Sequence, residues 1–162
     1  MSLLAPEQQR FRFTALGCEF TVYGRPQPGG SKRAFTRKNK ESGKVGVVVV
    51  DMNEKRLKPW KNEIEMVASS LIGTRPMYEG PLMLVVDFYM PRPKAHFGVH
   101  GVKHRAPRYP AVRPDTTKLL RPLEDALSGI LWRDDAQIVE QIVRKRYGDP
   151  PRAEVRVAVM VT

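Results

Sequence analysis

Arg113-Pro-Asp-Thr-Thr-Lys-Leu-Leu-Arg-Pro-Leu-Glu-Asp-Ala-Leu-Ser-Gly-Ile-Leu-Trp-Arg-Asp-Asp-Ala-Gln-Ile-Val-Glu140 is the stretch from which both fold and chemistry can be read. Leu119, Leu120, Leu123 and Leu127 recur at helical spacing, which predicts a helix over 116–127 with those leucines turned inward. Pro122 is awkward in it, because its ring meets the carbonyl of Lys118 four residues back, so the helix either kinks or begins late. Asp115 precedes the helix and Asp134-Asp135 follow it. Ser128-Gly129 provides a turn through which residues 130–133 can run back toward Asp115. Carboxylates raise one another's energy unless a cation neutralises them, and hard divalent cations such as Mg²⁺ bind through one or two carboxylates plus phosphates. Acidic residues grouped in a chain of net charge +11 therefore suggest a metal held against a polyanion. The plainer alternative is an N-cap at Asp115 and a polar turn at Asp134-Asp135.

Asp115, Asp125-Ala126-Leu127, Trp132, Asp134-Asp135, Gln137 and Ile138 stand in an order that resembles the RusA family of phage- and prophage-encoded Holliday junction resolvases. That family's pattern is Asp-x-Asp-Asn-x-x-Lys, then Asp-Ala-Leu, a hydrophobic-aromatic run and Asp-Asp-x-Gln-Val/Ile. Gly24-Arg25-Pro26, Arg33–Arg37 and Pro91–Lys94 are weaker upstream matches. The resemblance implies hydrolysis of a DNA phosphodiester with Mg²⁺ (or Mn²⁺) as cofactor, branched DNA as substrate and a homodimer as the working unit. It implies Asp115, Asp134 and Asp135 as metal-site and catalytic carboxylates, with Lys118 and Arg121 facing the phosphate. Two departures stand out. The second metal-site aspartate aligns with Thr117 and the following asparagine with Lys118, while the helix lysine aligns with Arg121. Either Lys118 compensates from the same helix face or the site is weakened. The rival reading is a protein that binds branched or single-stranded DNA without cutting it. Glu124 and Asp125 are more distant candidates, and for Asp125 a structural cap or salt bridge is the better reading.

The chain has 162 residues, 28 Lys+Arg against 17 Asp+Glu, and one cysteine. That length suits one domain with a continuous core. The charge favours a polyanionic partner, nucleic acid first; no basic amphipathic helix argues for a membrane surface. No apolar run approaches a bilayer span and no signal-peptide pattern opens the chain, so the expected location is cytoplasmic. Cys18 cannot form an intrachain disulfide and reads as a buried, inert thiol.

Residues 1–10 read as a frayed end and 11–162 as the domain. Phe11–Tyr23 predicts a strand. Residues 25–44 read as a flexible basic loop. Val45–Asp51, a β-branched run, predicts a strand buried on both faces. Lys58–Ile72 predicts a helix with Trp60, Ile64, Val67, Ala68, Leu71 and Ile72 on one stripe, Trp60 serving as a core anchor. Leu82–Met90 is strongly strand-like. Residues 91–114 form a second basic loop. Ile138–Tyr147 and Glu154–Val161 predict two strands joined as a hairpin by Gly148-Asp149-Pro150-Pro151. The order is ββαβαββ: one α/β domain, a mixed sheet packed by two helices.

The two loops carry Arg25, Lys32, Arg33, Arg37, Lys38, Lys40, Arg92, Lys94, Lys103, Arg105, Arg108 and Arg113, expected to contact the DNA backbone. Phe35, Phe97 and Tyr109 among them are placed to stack on bases or pack on the domain. His96, His100 and His104 recur every four residues, but Gly98 and Gly101 break any helix that would align them on zinc. Gly29-Gly30-Ser31-Lys32 lacks the spacing of a nucleotide-binding loop, so no nucleotide cofactor is expected.

Overall fold

A computed structural model describes residues 11–14, 17–30, 32–51 and 53–160; the frayed end expected over 1–10 lies outside them. In chain order the elements are β1 (Phe11–Thr14), β2 (Gly17–Tyr23), β3 (Lys32–Lys38), β4 (Val45–Asp51), α1 (Glu54–Ile72), β5 (Leu82–Met90), β6 (Phe97–Gly98), β7 (Gly101–Val102), α2 (Thr116–Leu127), β8 (Ile138–Tyr147) and β9 (Arg152–Val159). This is the expected α/β domain with a mixed sheet and two helices; the single strand expected over 11–23 is instead two, β1 and β2, paired antiparallel, and β3, β6 and β7 are further additions to the expected order.

The main sheet runs β1-β2-β9-β5-β8. β5 takes the centre of the last three strands, parallel to β8 and antiparallel to β9. The expected β8–β9 hairpin is therefore corrected: residues 148–151 carry the chain across β5. The burial pattern gives the reason. β5 is buried on both faces over most of its length while β8 is largely half-exposed, and the position with two strand neighbours removes most apolar surface from water. Gly148 is packed tightly at this crossing, its N–H donating to the Met90 carbonyl at 3.0 Å.

One face of the sheet presents Phe20, Val22, Leu84, Val86, Phe88, Val155 and Val157 to the helices. α1 adds Trp60, Ile64, Val67 and Leu71, and α2 adds Leu119, Leu123 and Leu127, so the core is a single layer between sheet and helices. Cys18 lies in it, and burial pushes its thiol pKa up, as expected of an inert thiol. The other face is polar. There Asp87, the one buried charge among the described residues, accepts from Arg144, Arg146 and Arg156 at 3.2–3.5 Å. A buried carboxylate needs such partners.

α1 begins four residues before the expected Lys58. The Asn53 carbonyl accepts from Arg56 and Leu57 at 3.0 and 2.9 Å, while its side-chain amide donates to the Gln27 side chain and the Pro28 carbonyl. α2 has its expected limits and runs through Pro122. The Lys118 carbonyl, deprived of its partner by the proline, accepts instead from Gly29 N–H at 2.9 Å. A Cβ on Gly29 would stand 2.6 Å from Pro122 Cγ, so only glycine lets that amide approach.

β3 and β4 correct two further expectations. Residues 32–38 are a strand, and the run Val45–Val49 is not buried: Val45, Val47 and Val49 are 65%, 69% and 57% exposed. The two strands pair in register, Lys32 opposite Asp51 through Lys38 opposite Val45, as a ribbon separate from the main sheet. The β-branched run does encode a strand, but its partner is the cation-rich segment before it. No described helix is long and apolar enough to cross a membrane.

Candidate nuclease site and nucleic-acid interface

Asp115 is the N-cap residue of α2, extended at φ −75° and ψ 160°, and its side chain makes no capping hydrogen bond. Its exposed carboxylate has no partner among the described residues, at a helix end whose dipole favours negative charge. At the far end of α2 the chain turns through Ser128 and Gly129, where Gly129 takes a positive φ of 81°, and buries Leu131 and Trp132 completely. An indole N–H taken out of water needs an acceptor, and Asp135 Oδ1 provides it at 2.8 Å. Asp134 accepts from Ala136 N–H at 2.8 Å and caps a 3₁₀ turn. Gln137 ties this turn down from both sides. Its carbonyl oxygen accepts from Arg133 and Asp134 amides, and its amide donates to the Tyr78 and Gly80 carbonyls.

Glu124 is the carboxylate whose charge Asp135 opposes. Burial raises its pKa first, the negative charge of Asp135 second; a hydrogen bond from Gln141 and the positive charge of Arg121 oppose the rise, and Asp125 adds to it. Among the described residues, Asp115, Asp134 and Asp135 do not come together with any other acid, histidine or cysteine as a three-residue metal-holding group. Glu124 lies nine positions after Asp115, about 13 Å along the axis.

β8 holds α2 at both ends. Gln141 reaches Glu124, and Lys145 Nζ donates to the Val112 and Pro114 carbonyls at 2.6 and 2.7 Å, just ahead of Asp115. Four strand residues rise about 13 Å, which matches the helical span from Glu124 to Asp115. Helix and strand therefore run antiparallel in step. Glu124 was a distant candidate in the sequence and Lys145 was not one; neither contact has a local signal, because each pairs residues 17 to 33 positions apart.

Lys118 and Arg121 are both exposed on α2. Asp125 forms the expected salt bridge, with Lys61 Nζ at 3.9 Å. Of the basic residues, Lys32, Arg33, Arg37 and Lys38 are exposed along β3, and Lys40 follows it; Lys94 is exposed at the start of a 3₁₀ turn, and Arg25, Arg105, Arg108 and Arg113 are exposed in loops. Arg92 and Lys103 are engaged within the protein. Arg92 donates to the Pro107 carbonyl and lies 4.3 Å over the Tyr147 ring, and Lys103 Nζ donates to the Ala95 carbonyl. The second basic loop is thus partly pinned, with a 3₁₀ turn at Lys94–His96 and the β6–β7 pair. His96 packs edge-on against Tyr147. Phe35, Phe97 and Tyr109 are exposed.

The family model of the endodeoxyribonuclease RusA matches residues 26–158, most of the chain. The chain belongs to the RusA family. A relative, the "Uncharacterized protein YqaN" of Bacillus subtilis (strain 168), is 31% identical over 144 residues, covering 86% of this chain and 94% of its own length. The matched RusA region takes in the β3–β4 ribbon, both helices and the acidic turn, so every element that carries a candidate residue other than Arg25 lies inside it.

Proposed function

We propose that this chain is a divalent-metal-dependent endonuclease that resolves four-way DNA junctions in recombination and repair, acting in the cytoplasm as a homodimer. Membership of an endodeoxyribonuclease family supports the reaction class. The observation that carries the reading to this chain's own residues is Asp115: an exposed carboxylate, free of protein partners among the described residues, presented at a helix N-terminus beside exposed cations. A two-fold symmetric junction suits a symmetric pair of sites.

The donor chemistry fits Mg²⁺ or Mn²⁺. Every candidate donor is a carboxylate oxygen, and half-buried Glu124 beside Asp135 is a like-charge pair that a cation would relieve. Asp115 at one end of α2 and Asp135, with Asp134 and Glu124, about 13 Å away at the other would not share one ion within a single chain; each end would hold an ion only with DNA phosphate completing its shell. When bound, the ion would polarise the scissile phosphate and acidify water. Lys118 and Arg121 bind the phosphate and offset negative charge as the P–O bond is attacked. Trp132 N–H holds Asp135 in one orientation, while Gln137 fixes the turn that carries it.

The second reading is a non-catalytic binder of branched or single-stranded DNA. Thr117 in the place of the family aspartate and the lack of a three-carboxylate group among the described residues favour it. Incubation of a synthetic four-way junction with the protein, with and without Mg²⁺ or Mn²⁺, decides between them. Metal-dependent symmetric nicks support the nuclease; junction binding without cleavage at any concentration of either ion supports the binder.

A further inference from the structure

A pocket of ≈ 440 Å³ lies where the Gly29 turn meets both helices, and its charged lining is Lys32 at the start of β3, Lys61 of α1, and Arg121 and Asp125 of α2. Three cations against one carboxylate leave +2. The single ion pair within it, Lys61 to Asp125, is 3.9 Å long with Asp125 half-exposed, so it offsets little of that charge. Arg121 has no ion pair among the described residues. The floor is Gly29 pressed on Pro122, a contact that admits no side chain and fixes the ribbon's root on α2.

We propose that this pocket seats one phosphodiester of the bound DNA, with Lys61 as a contact outside the acidic site. The inference rests on the nucleic-acid reading above. Charge selects the occupant: a site of net positive charge on a strongly basic protein attracts an anion, and the volume accommodates a phosphate with its flanking sugars. Position selects DNA over a small anion. The pocket lies between the root of the ribbon that bears Arg33 and Arg37 and the helix that bears Lys118 and Asp115. A strand held by the ribbon and entering the acidic site has its backbone carried across this point. Lys61 and Asp125 then form an open pair that the phosphate parts, drawing Lys61 toward itself.

The test is junction binding by the full chain over a salt series without Mg²⁺, for the natural protein, Lys61→Gln, Lys61→Arg and Asp125→Asn. Lys61→Gln is expected to bind several-fold more weakly, with the slope of log affinity on log salt reduced by about 0.9, the value for one lost phosphate contact. Lys61→Arg restores the slope. Asp125→Asn, which frees Lys61 and removes a repelling charge, binds several-fold more tightly. Unchanged affinity and slope in Lys61→Gln, or an Asp125→Asn protein altered in Tm alone, overturns the proposal. Inorganic phosphate that displaces the junction from the natural protein, but not from Lys61→Gln, at matched ionic strength would make this a free-phosphate site and also overturn it. Cleavage is scored separately with Mg²⁺ present, so loss of the nuclease reading leaves this result to stand or fall alone.

Discussion

Gly29→Ala is expected to destabilise the fold, and Pro122→Ala is expected to rescue it. The added methyl would sit 2.6 Å from Pro122 Cγ, well inside van der Waals contact, so either the ring or the Gly29 backbone must move. Overpacking of this kind costs roughly 1–3 kcal/mol. A shift of Gly29 also strains its 2.9 Å hydrogen bond to the Lys118 carbonyl, a loss of about 0.5–1.5 kcal/mol. The helix offers that carbonyl no replacement donor, because residue 122 is proline. Together the two effects come to about 3 kcal/mol, a fall in Tm of about 6–12 °C for a chain of this size. In the Pro122→Ala background the ring is gone and the substituted residue regains an N–H that can bond the Lys118 carbonyl, so the methyl added by Gly29→Ala costs far less. Urea unfolding of the four proteins of this double-mutant cycle gives the coupling directly, expected above about 1 kcal/mol. Strict additivity would refute the account of how α2 accommodates its proline.

Asp115→Asn and Asp135→Asn should each abolish metal-dependent nicking of a four-way junction while junction binding holds or tightens, since removing an anion beside DNA lessens repulsion; gel-shift and cleavage assays on the same samples check this. Thr117→Asp should tighten Mn²⁺ binding by supplying the carboxylate the family pattern has there, measured by calorimetry, with Lys118→Ala lowering cleavage in the natural background. Lys145→Met should loosen the segment ahead of Asp115, raising amide exchange over residues 112–118 and lowering kcat by about 10- to 100-fold, with Lys145→Arg a partial rescue. Glu124→Gln should stabilise the protein in EDTA at neutral pH. The folded-state pKa of Glu124 is raised, so the native state binds the proton more tightly than the unfolded chain and stability declines as pH rises above the ordinary glutamate range. The gain should vanish below that range, and an equal gain at pH 3 and pH 7 would contradict it.

Local pattern carried much of the structure. α2 has the limits its leucine spacing indicates, β5 is the apolar run between turn residues, and the acidic turn is legible because Asp134 and Gln137 close a capping box within four residues. Such signals survive because they depend on neighbours in the chain. Whether Pro122 would break α2 was not legible, since the compensating donor is Gly29, nearly ninety residues away. Nor was strand partnership. Val45–Val49 has the composition of a buried strand, yet the central place was taken by β5, which is buried on both faces and contributes to the core that both helices share. β8 and β9 were separated for the same reason, one strand with two neighbours excluding more water than a terminal hairpin. The carboxylate set was read from spacing, but which acids meet depends on how far β8 carries the acidic turn along α2. That distance is set by Gln141 on Glu124 and Lys145 on the chain before Asp115. The two helices, β5, the charge and the family are thus written in the order of the residues. Partners and distances are not, because burial is shared among segments that only the folded chain brings together.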